Sequence, residues 1–402
     1  MTSGSGQAMT NKRPQFLSVV SIYASMPPEQ QMRVFESAQP DHRKIILATN
    51  IAETSITINN VRFVVDTGFV KARDYSAKLG ADSLQVVPVS QAQARQRSGR
   101  AGREAPGKAF RLYTERAFYE LQPMTLPEIQ RSNLGSVMLQ LKAMGIEDVL
   151  NFDFLDPPPR PSVIRSLELL HSLGALDNSG RLTEEVGKRM SRLPVEPQFA
   201  KVLLSSCRMM CSLEAIQVVS MVSADNIFFC PREKRDLANA ARLKFTHRDG
   251  DHLTLLNVMR AFVEVPRKER GAWCNDNFLN ARSLNKAVDI SDQLQQHLKQ
   301  LELPVVSCGE NLDQLRKALI TGLFMNAARR QPDGGFKVLA SGQAVFIHPS
   351  SVLCGKKPES IIFSELVRTN KAYAREVTAI EVPWLTEVCP NTFSSSIAPI
   401  QI

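Results

Sequence analysis

The sequence predicts a multidomain chain that is α/β at its start, helical in its middle and all-β towards its end. Three observations predict it. Over residues 15–122, short apolar runs alternate with helical stretches, the pattern of a mostly parallel sheet. From about residue 123 the apolar residues recur at helical spacing. From 304 they gather into short strands separated by turns. The chain has 402 residues and is 43% hydrophobic, enough for about two to four domains with their own cores.

The α/β part opens with a strand, Phe16-Leu17-Ser18-Val19-Val20-Ser21-Ile22. Pro27-Pro28-Glu29-Gln30 then starts a helix that is expected to reach about Phe35. Further strands are expected at 45–48, 61–65 and 108–113. Ile45-Ile46-Leu47-Ala48 suits a buried parallel strand. Polar Thr49, Asn50, Glu53, Thr54 and Ser55 fall at and beyond its carboxyl end, where open α/β sheets place ligands. Ser90 stands where it can cap a helix running towards residue 101. Residues 69–88 are long for a strand-to-helix connection and carry Lys71, Arg73 and Lys78, and structured insertions of that length tend to be functional.

Thr125-Leu126-Pro127-Glu128 has capping-box spacing with a proline in the first turn. A helix is expected there, with Ile129, Leu134, Val137, Met138, Leu141 and Met144 on one face and Gly145 at its stop. After Asp156-Pro157-Pro158-Pro159, Ser162 is expected to cap a second helix that ends at Gly174. Asn178-Ser179-Gly180 turns between Ala175-Leu176 and Leu182. Two helices and a small hairpin suggest a winged helix, whose outer face is too weakly basic for a lone nucleic-acid reader. Residues 195–303 read as packed helices, in which His252 has no partnered Asp or Cys motif and is expected to be a packing or capping residue. Strands follow at 336–339, 344–347, 360–363 and 379–382, the spacing of a small barrel of OB (oligonucleotide/oligosaccharide-binding) type. Residues 1–14 read as a polar leader and 391–402 as a frayed tail.

Composition is less specific. The net charge is +9, with 16 basic against 10 acidic residues in 1–122 and 33 against 30 beyond, a bias that suits a polyanion partner. The seven cysteines form no CxxC pair, which argues against a zinc module and for free thiols in a reducing, intracellular setting. No apolar run reaches the ~18–20 residues of a membrane-spanning helix, and the start lacks a signal peptide's apolar stretch. No membrane association and no metal site are expected.

The most specific stretch is Gln96-Arg97-Ser98-Gly99-Arg100-Ala101-Gly102-Arg103. Arginine is permanently charged, and its planar fork can hold two phosphate oxygens at once. Gly99 and Gly102 add no side-chain bulk, so another domain or a ligand can approach closely. A second block, Ala48-Thr49-Asn50-Ile51-Ala52-Glu53-Thr54-Ser55-Ile56-Thr57-Ile58, precedes Val64-Val65-Asp66-Thr67-Gly68-Phe69. The octet resembles motif VI, and the second block motif V, of the DEAH-box RNA helicases of superfamily 2. Gly250-Asp251-His252-Leu253-Thr254-Leu255-Leu256-Asn257 and the Trp273-Cys274 to Phe278 stretch are similar to signatures of that family's ratchet domain.

The resemblance covers about residues 15–390 and implies four domains. These are a partial RecA-like parallel-sheet domain (15–122), a winged helix serving as a brace (123–194), a helical bundle or ratchet (195–303) and an OB-like β-barrel (304–390). It also implies a β-hairpin at 69–88 that separates strands or guides RNA. It matches only the carboxyl-terminal half of such a helicase. The sequence contains no GxxxxGK[ST] loop and no Asp-Glu-Ala-His box, the elements that cradle phosphates and hold magnesium. The first RecA-like domain and the opening strand and helix of the second are therefore expected to be missing, leaving unpaired backbone and exposed apolar surface.

The implied activity is ATP-driven translocation on single-stranded RNA with ATP and Mg2+ as cofactors, while this chain by itself is expected not to hydrolyse ATP. In the family's arrangement Gln96, Arg100 and Arg103 face the triphosphate, the two arginines acting as fingers, and Arg97 supports the motif. Ser55 and Thr57 lie near the ribose, and Phe35 stacks on the base. Asn59 stands where relatives commonly carry Asp, which puts its ribose role in question. Gly68 links nucleotide and RNA through backbone. Thr49, Asn50 and Ser25 hold RNA phosphates. A glycine-patch activator is an implied partner, and the nucleus, its nucleolus included, is favoured over the cytoplasm. The alternative is a non-catalytic RNA- or partner-binding fragment.

Overall fold

The computed structural model describes residues 16–24, 26, 28–76, 81–224 and 226–393. One compact unit takes the described residues up to Ala72 with Val86–Thr125, and a second takes Arg73–Gln85 with those from Leu126 onward. The leader at 1–14, Ser25 and residues 394–402 lie outside the described residues.

In the first unit β1 (Phe16–Ile22) runs parallel to β2 (His42–Ala48), with Phe16 opposite His42 and Ile22 opposite Ala48. Separately, β3 (Phe63–Asp66) runs parallel to β6 (Lys108–Arg111). One continuous sheet was expected, but among the described residues β1-β2 and β3-β6 are two separate two-stranded sheets. The chain leaves β2 through α2 (Ile51–Thr54) and a left-handed turn at Asn60 without laying β3 alongside in a ladder. Side chains alternate between faces along each strand. Ser18, Val20 and Ile22 face inward with His42, Lys44 and Ile46, while Leu17, Val19, Ile45 and Leu47 are exposed. Likewise Val64 and Asp66 are covered, whereas Phe63, Val65 and Phe110 are exposed. Parallel sheets are ordinarily covered on both faces, and these are covered on one.

The helix expected to reach Phe35 is shorter, α1 (Pro28–Met32). Beyond it Lys44 Nζ donates to the carbonyls of Arg33, Val34 and Glu36 at 3.0, 2.9 and 2.5 Å. The ammonium thus satisfies the acceptors that a longer helix would have used. β4 (Phe69–Ser76) and β5 (Ala81–Pro88) are hydrogen-bonded neighbours, the hairpin expected at 69–88. Ser90 then caps α3 (Gln91–Ser98) in a full capping box with Gln93, as its position implied. Gly99–Gly102 continues as a 3₁₀ turn, and α4 (Glu115–Glu120) follows β6. Val89, Ala94 and Phe118 form this unit's small buried cluster.

The second unit begins differently from expectation. Thr125 opens no helix, because its hydroxyl lies 3.1 Å from that of Ser90 within the first unit. Glu128–Gln130 makes one 3₁₀ turn, and α5 (Gly135–Ala143) starts only after Asn133 Oδ1 accepts the Gly135 N–H. Ser162 is not a cap either. It is buried inside α6 (Arg160–Ser172), whose start is set by Pro159 at the N-cap and a proline in the first turn. Gly145 and Gly174 do terminate these helices, with φ of +89° and +76°. Leu176 and Leu182 meet as a single antiparallel bridge before α7 (Gly187–Met190).

The helical region is built from α8 (Pro197–Arg208), α9 (Ser212–Ser223), α10 (Arg235–Leu243), α11 (Asp251–Glu264), α12 (Arg270–Asp276) and α13 (Ala281–Gln300). Residues from 304 do not turn directly to strands, since α14 (Leu312–Leu323) intervenes. Its Leu315, Ala318, Leu319, Gly322 and Leu323 fall on one helical face and are buried. A Cβ on Gly322 would stand 2.1 Å from the Gln198 carbonyl oxygen, so α14 and α8 cross at backbone contact.

The barrel comprises β7 (Ala327–Arg330), β8 (Phe336–Val338), β9 (Ala344–Ile347), β10 (Ser360–Arg368) and β11 (Ala372–Ile380). It runs in the order β11-β9-β8-β7-β10 and closes through the β10–β11 ladder. β7 was missed, and the last expected strand ends at Ile380. From there α15 (Val382–Val388) and α16 (Pro390–Phe393) follow. Part of the supposed frayed tail is thus helical, with Phe393 buried edge-on against Phe324.

The Gly250–Asn257 stretch joins α11 to this barrel. Gly250 has φ +140°, and a Cβ there would lie 2.3 Å from the Val377 carbonyl oxygen. Asp251 accepts the N–H groups of Val352 and Val377 at 2.8 and 2.9 Å. His252 is fully buried between the hydroxyls of Thr378 and Ser364, the packing role expected of it. Thr254 accepts from His247 N, and Asn257 donates to the Phe245 carbonyl.

Candidate functional site

The site is built on α3 and the 3₁₀ turn after it. Three arginines spaced three apart follow one side of this element, yet they meet different surroundings. Arg97 lies between two buried carboxylates, with Nη2 2.6 Å from Glu53 Oε1 and Nη1 2.7 Å from Asp66 Oδ1. Its Nη1 also donates to the Phe69 carbonyl. Arg97 therefore ties the start of α2 to the end of β3. Burial alone would raise the Asp66 carboxyl. The Gly68 N–H, Arg97 and the Tyr113 hydroxyl outweigh it and hold that group below its ordinary value. The Tyr113 hydroxyl, donating to Asp66 at 2.9 Å, is pushed up to about 12 by burial and by that carboxylate. Arg97 is held above its usual value, because its bonds to Asp66 and Glu53 exceed the cost of burial.

Among the described residues Arg100 and Arg103 hydrogen-bond only to neutral groups. Arg100 donates to the carbonyls of Glu53 and Ile56, and Arg103 Nη1 to Thr57 Oγ1 at 2.5 Å. Desolvation and then the neighbouring Arg103 pull Arg100 below its ordinary value. The Glu53 carboxylate opposes that fall without reversing it, and two guanidinium groups near each other with no carboxylate hydrogen-bonded to either make an edge that favours an anion. Gln96 is exposed on the same helix.

Thr49 and Asn50 lie exposed where β2 ends and α2 begins, and Ser55 closes that helix. Thr57 is in direct contact with Arg103, so residues 46 apart in the two motifs do meet. Asn59 is exposed beside Asn60, whose N–H is held by Glu104. Phe35 is 45% exposed, its ring available for stacking. Gly68 is buried instead, with φ +79°. A Cβ there would lie 2.7 Å from the Tyr113 ring, and its N–H donates to Asp66. The Asp66–Tyr113 half of the clamp escaped sequence reasoning. Asp66 sits within a quoted motif, whereas nothing local marks Tyr113. Among the described residues no group of three or more His, Cys, Asp or Glu could hold a metal ion.

The chain matches four family descriptions in sequence order. Residues 5–105 match the helicase conserved C-terminal domain, and 166–195 the winged-helix part of the helicase associated domain. Residues 196–255 match its ratchet-like part, and 315–392 the OB-fold. It is 47% identical over 389 residues to the Arabidopsis thaliana pre-mRNA-splicing factor ATP-dependent RNA helicase DEAH10, covering 94% of this chain and 54% of that protein. The chain belongs to the DEAH-box helicase family.

Two further relatives of this DEAH-box chain are the Schizosaccharomyces pombe pre-mRNA-splicing factor ATP-dependent RNA helicase prp22 and human probable ATP-dependent RNA helicase DHX35. They are 46% and 44% identical, each over 94% of this chain but over 32% and 54% of their own lengths. The chain thus spans about half or less of the curated relatives it matches. Its matched domains are those of the family's carboxyl-terminal half: RecA-like helicase domain, winged helix, ratchet and OB-fold. Among the described residues no helix is long and apolar enough to cross a membrane.

Proposed function

We propose that this chain serves in an ATP-dependent RNA helicase that remodels RNA, as the side of the nucleotide site that supplies the arginine fingers. The observation that carries this reading is the contrast within the octet. Arg97 is held by two carboxylates at ion-pair distance, while Arg100 and Arg103 hydrogen-bond only to neutral oxygens, the Glu53 carboxylate acting on Arg100 through its charge alone. Charge left uncompensated there is available to the triphosphate as negative charge develops on the transferring phosphoryl group. Gln96 stands beside them. Ser55, Thr57 and Asn59 border the ribose, Phe35 offers a ring to the base, and Gly68 supports the turn between nucleotide and RNA. Thr49 and Asn50, with Ser25, hold RNA phosphates, contacts that carry no sequence preference and suit a translocating motor. The phosphate cradle and the Mg2+ ligands come from residues other than those of this chain.

The proposed domain limits are 15–122, 123–194, 195–303 and 304–390, and the hairpin guides the RNA strand. The splicing relatives favour a nuclear setting, and a glycine-patch protein is the proposed activator. One experiment tests the reading. The chain is joined to a P-loop-bearing RecA-like domain of a relative, and RNA-stimulated ATP hydrolysis is measured. Arg103→Ala should lower turnover by ~10²-fold or more. Turnover at the parental rate would refute the finger assignment. The chain without that domain should show no RNA-stimulated hydrolysis, and activity there that Arg103→Ala abolishes would overturn the division of labour. The non-catalytic reading gains only if the joined protein binds RNA yet never hydrolyses ATP.

A further inference from the structure

Tyr113 lies between β6 and α4, outside the octet and the blocks that resemble family motifs. Its hydroxyl donates to Asp66 Oδ2 at 2.9 Å. The other oxygen, Oδ1, accepts from the Gly68 N–H at 3.0 Å and from Arg97 Nη1 at 2.7 Å. The two oxygens of one carboxylate are thus divided. Oδ1 holds the turn before the hairpin and the finger helix α3, while among the described residues the side-chain partner of Oδ2 is Tyr113.

The tyrosine ring is fixed apart from that hydroxyl. It lies where a Cβ on Gly68 would come within 2.7 Å, and it packs on the cluster of Val89, Ala94 and Phe118. The hydroxyl is therefore held in place by its own ring, whereas the terminal torsion of a carboxylate is soft. Asp66 is buried, so without the hydroxyl its Oδ2 has no water to turn to. The carboxylate must then rotate towards its remaining donors, Arg97 and the Gly68 N–H, and Arg97 moves with it.

From Arg97 the contacts run on to a finger. Arg97 Nε and Nη2 hold Glu53 Oε1 at 2.7 and 2.6 Å. The backbone carbonyl of Glu53 accepts from Arg100 Nη2, and that of Ile56 from Arg100 Nη1 at 3.3 Å. Carbonyls at the end of a helix lack intrahelical partners, so those at the end of α2 are free to seat this guanidinium. Arg100 is placed by α2, and α2 is tied through Glu53 to Arg97.

We propose that Tyr113 is a positioning residue: through Asp66, Arg97 and Glu53, its hydroxyl sets where the Arg100 guanidinium stands. This rests on the reading of Arg100 as a finger. The ionic links of the chain are short and charge-assisted, and both carboxylates are buried, so a displacement at one end is passed on rather than absorbed by solvent. Since a misplacement of about 1 Å at a reacting group can cost ~10²-fold, a smaller shift is enough to register in turnover. The effect belongs to the chemical step, because Tyr113 touches neither the edge that meets nucleotide nor the residues assigned to RNA.

The test uses Tyr113→Phe, which keeps the ring on Gly68 and removes only the hydroxyl. Measurements are made below the first thermal transition of the variant, so that loss of fold does not enter. In the full chain, nitrogen-15 NMR of the arginine Nε–H groups should show the Arg100 signal displaced, that signal being assigned by its loss in Arg100→Lys. In the chain joined to a P-loop-bearing domain, Tyr113→Phe should lower kcat for RNA-stimulated hydrolysis by about 10-fold and leave the KM for ATP in place. In an Arg100→Ala background the same change should cost less than about 2-fold, because the group it positions is gone. A brace that merely stabilises the fold would move neither the Arg100 signal nor the cycle. An unmoved signal, a loss that falls on KM, or a full loss repeated in the Arg100→Ala background would each overturn the proposal. Parental turnover in Arg100→Ala by itself would instead refute the finger reading, and the role of Tyr113 in turnover with it.

Discussion

At the scale of single residues, three arginines of identical chemistry meet different partners, two carboxylates for Arg97 and neutral oxygens for Arg100 and Arg103. Arg97 faces Glu53 and Asp66, 44 and 31 residues away in the chain. That spacing is why the octet alone could show that the arginines share a side but not which one is neutralised. Removing Arg97 leaves two buried carboxylates without a counter-charge, a change that typically costs about 3–5 kcal/mol. Arg97→Ala should therefore destabilise the first unit by about 3 kcal/mol in urea unfolding at pH 7. Arg97→Lys should restore little, because an ammonium cannot bridge both carboxylates in the plane of a fork. The pH dependence has a definite sign. Asp66 is depressed, so its contribution is present above the ordinary carboxylate value of 3.8 and fades as pH falls through its folded value. The penalty of Arg97→Ala should shrink below that pH. A penalty unchanged in acid, or absent at pH 7, would remove the clamp from the account.

At the scale of elements, legibility followed how local the determining interaction is. Ser90 and Gln93 are three residues apart, so the start of α3 could be read from sequence, and the glycines ending α5 and α6 were equally local. Thr125 carried a capping-box spacing just as good, but its hydroxyl is taken by Ser90, 35 residues away. No local rule sees that competitor. Ser162 failed for a nearer reason, since prolines at 159 and 161 had already fixed the helix start. The α14 miss was avoidable, for its leucines and Gly322 repeat at helical spacing. Gly322 is also where this element can be tested. Helix propensity alone would favour alanine there by about 1 kcal/mol. The Gln198 carbonyl oxygen stands 2.1 Å from where the methyl would go, and backbone cannot swing aside as a side chain can. Overpacking of this kind costs about 1–3 kcal/mol or more. Gly322→Ala should therefore destabilise the second unit by about 2 kcal/mol net, seen as a lower urea midpoint by tryptophan fluorescence. A stabilised variant would mean that α8 and α14 do not cross at backbone contact.

At the scale of the whole molecule, the two units differ in how completely their apolar surface is covered. The second has a contiguous buried core running from α5 through α14 to Phe393, with further clusters in the barrel and under α11 to α13. Among its described residues the first has two separate two-stranded sheets, each bare on one face, and a buried cluster of Val89, Ala94 and Phe118. Hydrophobic burial is the main favourable term in folding, so the first unit should be the less stable. Chains built of unequal domains need not unfold in one step. Sequence offers an internal reporter for this. Both tryptophans, Trp273 and Trp384, belong to the second unit, and the first has none. In a thermal melt, far-UV circular dichroism should show an early loss of signal to which tryptophan fluorescence is blind, followed by a later transition that both report. Arg97→Ala should lower only the early transition, and Gly322→Ala only the later one. A single transition, coincident in both signals and shifted by both variants, would show that the units are coupled in folding despite their separate cores.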